Sequence, residues 1–193
     1  MEFATAVTLE NALVRLEPLT LEHVDDLAAA SVGLEYTWYT SVPTPEAMAD
    51  DVAQRLRWHA EGTMNPFAVR RLATGRVVGT TTFCNIDQPN RHVEVGHTWI
   101  GREAQRTEVN PAAKLLLLGH AFEACDAIAV ELRTHWHNRQ SRAAIERLGA
   151  KQDGVLRNHR IMPDGTLRDT VAFSILPHEW PAVRRGLVQR LPA

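Results

Sequence analysis

The stretch that most limits how this chain can fold is AAKLLLLGHAFEAC, residues 112–125, where apolar side chains fall on nearly every face of a helix. Such a helix has to be covered all round, by a sheet on one side and other elements elsewhere. Before it runs GREAQRTEVNP, a charged and polar loop ending in Asn110-Pro111. Asn caps free N–H groups and Pro fits the first helical turn at no hydrogen-bond cost, so the pattern predicts a helix over 111–125 capped by Asn110. Its first turn opens at the surface with N–H groups pointing outward, which is the form of an anion site. Lys114 lies one turn inside, where the helix dipole disfavours a cation, and Arg102 and Arg106 precede it; a bound anion would favour all three. The alternative is a solvated basic loop paired with Glu103 and Glu108.

The rest of the chain alternates between element types without an internal repeat. A short strand is predicted over 14–17, a helix over 21–30 capped by Thr20, and a helix over 45–61 capped by Thr44, with Pro45 first and Gly62 as its stop. The period then changes to two. Strands over 66–71, 77–86 and 92–100 form an antiparallel meander. After the apolar helix come a strand over 129–135, a helix over 139–148 ended by Gly149, a hairpin turning at Pro163-Asp164-Gly165, and a closing helix over 177–189. With 193 residues, 45% hydrophobic and 23% charged, the chain can bury one sizeable core. A single α/β (α+β) domain spanning 1–193 is expected.

Composition excludes several classes. The net charge of −2 carries no basic balance, so no nucleic-acid partner is expected. The start MEFATAVTLENALVRLEPLT is interrupted by Glu2, Glu10 and Arg15 and does not read as a secretion signal; no stretch is long enough for a membrane span. Cys84 and Cys125 sit in apolar segments without ligand spacing, as buried free thiols of a reducing compartment would, and the cytoplasm follows. His135-Trp136-His137 lacks a third ligand, so no metal is expected.

Five segments, VRLEPLT, EVGHTWI, QRTEVNPAAKLLLLGHAFE, HNRQSRAAIERLGAKQDGVLRNH and PDGTLRDTVAFSILPHEWPAVRRGL, follow one another in an order that resembles the GNAT acyl-CoA N-acyltransferases, in the branch of the ribosomal-protein N-terminal acetyltransferases RimJ and RimL. The resemblance implies a mixed, mostly antiparallel sheet of about six to seven strands flanked by helices. It also implies acetyl-CoA as cosubstrate, an amine acceptor, no metal, and room for a homodimer. In such enzymes the loop before the buried helix follows Gln/Arg-x-x-Gly-x-Gly/Ala and holds the CoA pyrophosphate on backbone N–H groups. Here that loop is Gln105-Arg106-Thr107-Glu108-Val109-Asn110. Gln105 matches, whereas Glu108 and Asn110 replace small residues. Glu108 loses glycine's freedom at positive φ and brings a carboxylate towards phosphates. Asn138 and Ser141 match the second CoA element, near the pantetheine arm and the departing sulfur; Asn138 also reads as a plain helix cap. Arg142 either reaches a CoA phosphate or faces solvent.

Direct attack of an amine on a thioester needs a base, a polarised carbonyl and a proton for the thiolate. Backbone N–H groups at Thr98, Trp99 and Ile100, where the family's strands splay, are the candidate polarisers, and Ser141 is the candidate donor. Glu94, a carboxylate inside an apolar strand, is the candidate base, with His97 and His135 as alternatives. A structurally paired Glu94 is the plainer alternative. Trp38 and Tyr39, beside Tyr36, fall in the acceptor-side region and with Trp99 and Trp136 would form an aromatic wall; the alternative is core packing. The acceptor is expected to be a protein or peptide N-terminus or a small-molecule amine. The competing class is a non-catalytic acyl-CoA-binding or sensor protein of the same fold.

Overall fold

The structure, a computed structural model, describes residues 1–34, 38 and 42–192. In the strand β3 (Met64–Arg71), Phe67 and Val69 join one apolar cluster while Ala68 between them joins another. The sheet is therefore covered on both faces. On one face lie α1 (Val24–Ser31), entered through a tight turn at Leu21–His23, and α2 (Met48–Ala60), packed through Leu27, Met48 and Val52. The opposite cluster takes in α3 (Val109–Gly119), α4 (Arg139–Leu148) and α5 (Trp180–Val188), through Leu117, Leu118, Ile145, Leu148, Val183 and Leu187.

The other strands are β1 (Leu9–Glu10), β2 (Val14–Pro18), β4 (Arg76–Asp87), β5 (His92–Ile100), β6 (Ala129–His135), β7 (Lys151–Ile161) and β8 (Leu167–Ile175). All eight form one sheet in the order β1-β2-β3-β4-β5-β6-β8-β7. The strand beyond the expected six to seven is β1, two residues paired on β2, too short to register as a period. Every neighbouring pair is antiparallel except β5 with β6. That parallel pair is in register only from His92–Glu94 against Ala129–Glu131. Both strands run on, β5 to Ile100 and β6 to His135, with no further pairing to each other.

The cause is local to β5. Between the pairs Thr80↔Trp99 and Thr82↔Gly96, β5 sets His97 and Thr98 against the single Thr81 of β4. His97 takes a φ of 47°, in the left-handed region. A bulge bends its strand and raises the local twist, so the end of β5 leaves β6 and a wedge-shaped gap opens.

The apolar helix differs from the expected span at both ends. It starts at Val109 with Glu108 as N-cap, because Thr107 Oγ1 accepts the Val109 N–H and the Ala112 N–H reaches the Glu108 carbonyl at 2.9 Å. Asn110 is consequently an exposed residue of the first turn and not the cap. Beyond Gly119 the helix widens into a π turn, His120–Ala124, closed by the Cys125 N–H on the His120 carbonyl. The helix over 139–148 and its stop are as expected: Asn138 Oδ1 caps the Ser141 N–H, and Gly149 adopts φ 105°.

Close approach of β4 to β5 beside the bulge depends on Gly79. A Cβ there would stand 2.1 Å from the Trp99 carbonyl oxygen and 2.9 Å from Ile100 Cα, both backbone atoms of the partner strand. Gly154, also in a strand, has nothing within 4 Å. Urea unfolding should show Gly79→Ala destabilised by about 2 kcal/mol or more, with Gly154→Ala within about 0.5 kcal/mol of the parent. Equal midpoints for the two variants would mean that β4 and β5 do not approach as described.

Candidate active site

The gap between β5 and β6 leads to a pocket of about 120 Å³. Its lining brings together Glu94, His97, His135, Ser141 and Trp38, five residues singled out in the sequence. Tyr39 and Tyr36 lie outside the described residues. Glu94 projects from β5 beside the last parallel pair and is 8% exposed. Its Oε2 accepts Asn85 Nδ2 at 2.6 Å and stands 3.6 Å from Arg133 Nε. Burial raises the Glu94 pKa, and the Asn85 hydrogen bond and the Arg133 charge only partly oppose it. Gly96 makes room for this carboxyl, since a Cβ there would meet Glu94 Oε1 and Cys84 Sγ, each at 2.8 Å. The Cys84 thiol is buried, and that burial pushes its pKa far up, so it stays a neutral thiol.

Three histidines around the pocket are held neutral. Burial, followed by the charges of Arg55, Arg160 and Arg168, lowers the His97 pKa to about 4, and its Nδ1 is buried with no hydrogen-bond partner among the described residues. His135 is 3% exposed and accepts the His137 N–H at Nδ1, 3.0 Å away; burial lowers its pKa too. His159 meets Thr170 Oγ1 at 3.1 Å and is shifted in the same sense, again first by burial. Trp38, 39% exposed, stacks obliquely on His135 and His137 with centroids 4.7 and 5.2 Å away, forming the pocket's rim. Among the described residues, no three His, Cys, Asp or Glu side chains converge as a metal site.

The remaining residues named from the sequence are distributed differently. The side chains of Trp99 and Ile100 are core, so only their backbone can serve the gap. An aromatic wall joining Trp99 to Trp38 is therefore not formed. Gln105 Nε2 donates to the Ile100 carbonyl at 2.9 Å and pins the loop to the end of β5. Val109 is fully buried in the core. The positive φ of the loop, 60°, falls on exposed Arg106, while Glu108 has an ordinary helical backbone at φ −64°, so glycine is not required there. The Glu108 carboxylate turns to Arg71, whose Nη2 and Nε reach Oε1 at 2.8 and 3.2 Å; its own backbone N–H and this arginine lower its pKa. Arg142 lies over the Trp136 ring at 4.3 Å and donates to the Trp136 carbonyl.

Lys114 corrects the sequence reading most clearly. It shares a helical face with Leu117 and Leu118 and is 7% exposed, aimed into the sheet and not at the helix N-terminus. Its Nζ donates to Thr98 Oγ1 at 3.0 Å, and Thr98 Oγ1 is 2.7 Å from Thr81 Oγ1, so lysine and two threonines tie α3 to the bulge. Burial lowers its pKa to about 8.

Sequence reasoning missed Asn85, Arg133, His159, Arg160 and Arg168, all of which line the pocket. Asn85 sits at φ 48°, where β4 and β5 fall out of register again, and no one-dimensional pattern marks it. His159 and Arg160 belong to β7, a strand with much solvent contact, where charged residues are ordinary. The one signal was the hairpin register, which sets Arg160 directly opposite Arg168.

A splayed parallel strand pair beside a buried carboxylate, with a buried helix starting at the same end of the sheet, defines an acyl-transferase type of scaffold. The chain matches the acetyltransferase (GNAT) domain over residues 14–151 and belongs to that family. It is 28% identical over 175 residues to a Bacillus subtilis protein named "putative ribosomal N-acetyltransferase YdaF", covering 89% of this chain and 94% of that one. A GCN5-related N-acetyltransferase from Brucella melitensis superposes with a TM-score of 0.85 at 31% identity, over 96% of this chain and 85% of that one. Mycobacterium smegmatis RimJ, solved with CoA-disulfide, shares the fold with a TM-score of 0.81 at 21% identity, over 98% and 97% of the two chains.

The buried lysine makes a prediction about stability. Below about pH 8 Lys114 is charged in both states; between about 8 and its ordinary 10.5 the unfolded chain holds the extra proton, so stability rises with pH across that window. Raising the pH from 7.5 to 10 should stabilise the parent relative to Lys114→Met by on the order of 2 kcal/mol in urea unfolding. Parallel pH curves for the two proteins would show that the ammonium is solvated and that the tie to Thr98 is not made.

Proposed function

We propose that the protein transfers the acetyl group of acetyl-CoA to a primary amine by direct attack, without a covalent enzyme intermediate. The observation that carries this reading is the gap between β5 and β6 opening onto a pocket lined by buried Glu94 on one side and Ser141 on the other. Acetyl-CoA supplies the thioester whose carbonyl carbon the amine attacks. Glu94, its pKa raised by burial, takes a proton from the entering ammonium, directly or through water, so that the nitrogen lone pair is free. The C–N bond forms and the C–S bond breaks; the Ser141 hydroxyl delivers a proton to the departing thiolate and is reprotonated by the second proton that the nitrogen loses as it becomes an amide. Backbone N–H groups at the bent end of β5 are placed to polarise the carbonyl. His97 and His135, neutral at physiological pH, line the same pocket as contacts for the acceptor.

The loop fits the cosubstrate. The N–H groups of Arg106 and Thr107 find no acceptor among the described residues, and they precede a buried helix, an arrangement suited to a pyrophosphate. The Glu108 carboxylate is paired with Arg71, which supports the binding of a pyrophosphate at this loop. The pocket's small volume suits the end of a chain or a compact amine, in keeping with the ribosomal acceptor in the name of the Bacillus relative. The reading places the protein in the cytoplasm, where acetyl-CoA and nascent or assembled protein N-termini meet.

Free-thiol release from acetyl-CoA in the presence of an amine panel tests transfer itself. For the parent, kcat/KM should rise with pH as Glu94 loses its proton, and Glu94→Gln should lose that limb and at least about tenfold in rate at neutral pH while keeping its affinity for CoA. Identical pH profiles for the two proteins would remove Glu94 from proton transfer.

A second test addresses the loop. Arg71→Ala frees the Glu108 carboxylate and should weaken CoA binding several-fold at low salt, and adding Glu108→Gln to it should restore the affinity. If Arg71→Ala binds CoA as the parent does at every ionic strength, the pyrophosphate lies elsewhere.

A further inference from the structure

The charge around the acceptor pocket is one-sided. Among the described residues its lining contains three guanidinium groups, of Arg133, Arg160 and Arg168, against one carboxylate, Glu94, while the histidines are held neutral. Arg133 is engaged by Glu131 at 2.6 Å and lies near Glu94, so its charge is answered within the protein. Arg168 is anchored through Nε on Thr170 Oγ1 at 2.9 Å. Arg160 is different. Among the described residues it has no carboxylate within ion-pair distance, yet its charge is felt at Glu94, His97 and His159, so it faces the pocket. It is also the direct cross-strand partner of Arg168 in the β7–β8 hairpin. Like charges placed opposite one another destabilise a strand pair, and a fold keeps such a pair at a site where something of opposite charge enters.

Building on the acetyl-transfer reading, we propose that the acceptor is an amine carrying a carboxylate or phosphate a few bonds from the nitrogen, and that Arg160 binds this anion. An acceptor with its own anion brings compensation to Arg160 while it presents its amine to Glu94; a simple monocation offers Arg160 nothing. Arg160 is thus a specificity-determining residue: its guanidinium forms a charge-assisted, bidentate contact with the anion while the reacting nitrogen stays beyond its reach. Two sources share this chemistry, a small amino acid or dipeptide with a free α-carboxylate and a protein N-terminus with acidic side chains next to it.

The experiment compares acceptors matched in amine basicity: glycylglycine with glycylglycinamide, and the amidated peptides Ser-Glu-Glu-Ala and Ser-Gln-Gln-Ala. Thiol release from acetyl-CoA gives kcat and KM, and calorimetry with CoA-bound protein gives affinity where turnover is absent. The anionic member of at least one pair should have a KM or Kd lower by about tenfold or more, the scale of one charge-assisted contact. Arg160→Gln should abolish that KM or Kd ratio by weakening the anionic member alone, and Arg160→Lys should recover part of it. Preference in the dipeptide pair alone identifies a small acceptor, and preference in the peptide pair alone an acidic N-terminus. Equal affinities within both pairs, or an Arg160→Gln effect of equal size on both members, would overturn the inference. Loss of thiol release with every amine, with the affinity ratio intact, counts against acetyl transfer and leaves the anion contact standing.

Discussion

Everything at the candidate site depends on one irregularity of hydrogen bonding, the placing of His97 and Thr98 against a single residue of β4. Without it β5 would run beside β6 to its end and the sheet would be closed. With it, the strand turns away after three registered pairs and leaves backbone exposed where a substrate arm can enter. The bulge is held from behind by the Lys114, Thr98 and Thr81 side chains, a polar contact built inside an apolar layer. A buried ammonium is costly unless it is hydrogen-bonded, which makes the contact specific about where α3 must lie against the sheet.

The same bend sets the electrostatics. Glu94 sits at the point where pairing stops, buried enough for its proton to be held more tightly than usual, yet lining the pocket. Gly96 two residues on gives the carboxyl its space, and Asn85 and Arg133 fix its direction. Low dielectric keeps the histidines uncharged, so the arginines are the permanent cations of the site. A carboxylate of raised pKa, neutral imidazoles and a surplus of guanidinium groups form a combination suited to taking a proton from an ammonium group that arrives with its own negative charge.

Much of this was legible in the chain. The strand over 129–135 and the helix over 139–148 occur as expected because alternation, an Asn cap and a Gly stop all marked the same boundaries. Glu94 stood out as a carboxylate in an apolar strand, and Ser141, His97, His135 and Trp38 meet it in one pocket. Lys114 was misdirected because a charge near a basic loop was weighed above its position on the Leu117 and Leu118 face. Glu108 looked disruptive because Arg71, its partner, is 37 positions away in sequence and reaches it only through the fold. Arg160 and Arg168 were invisible for a similar reason: their opposition exists only once the hairpin register is known.

The three-pair junction between β5 and β6 has a mechanical meaning as well. It divides the sheet into a five-stranded half, β1 to β5, and a three-stranded half, β6 to β8, stitched across the middle by a short seam and by the helices that straddle it. A seam that short is where the two halves can breathe against each other at least cost. A ligand lying in the wedge fills the position a continued strand pairing would have taken, so occupancy tightens the join between the halves as well as presenting a reactive group. Grip on a ligand and cohesion of the sheet are then two readings of the same free energy.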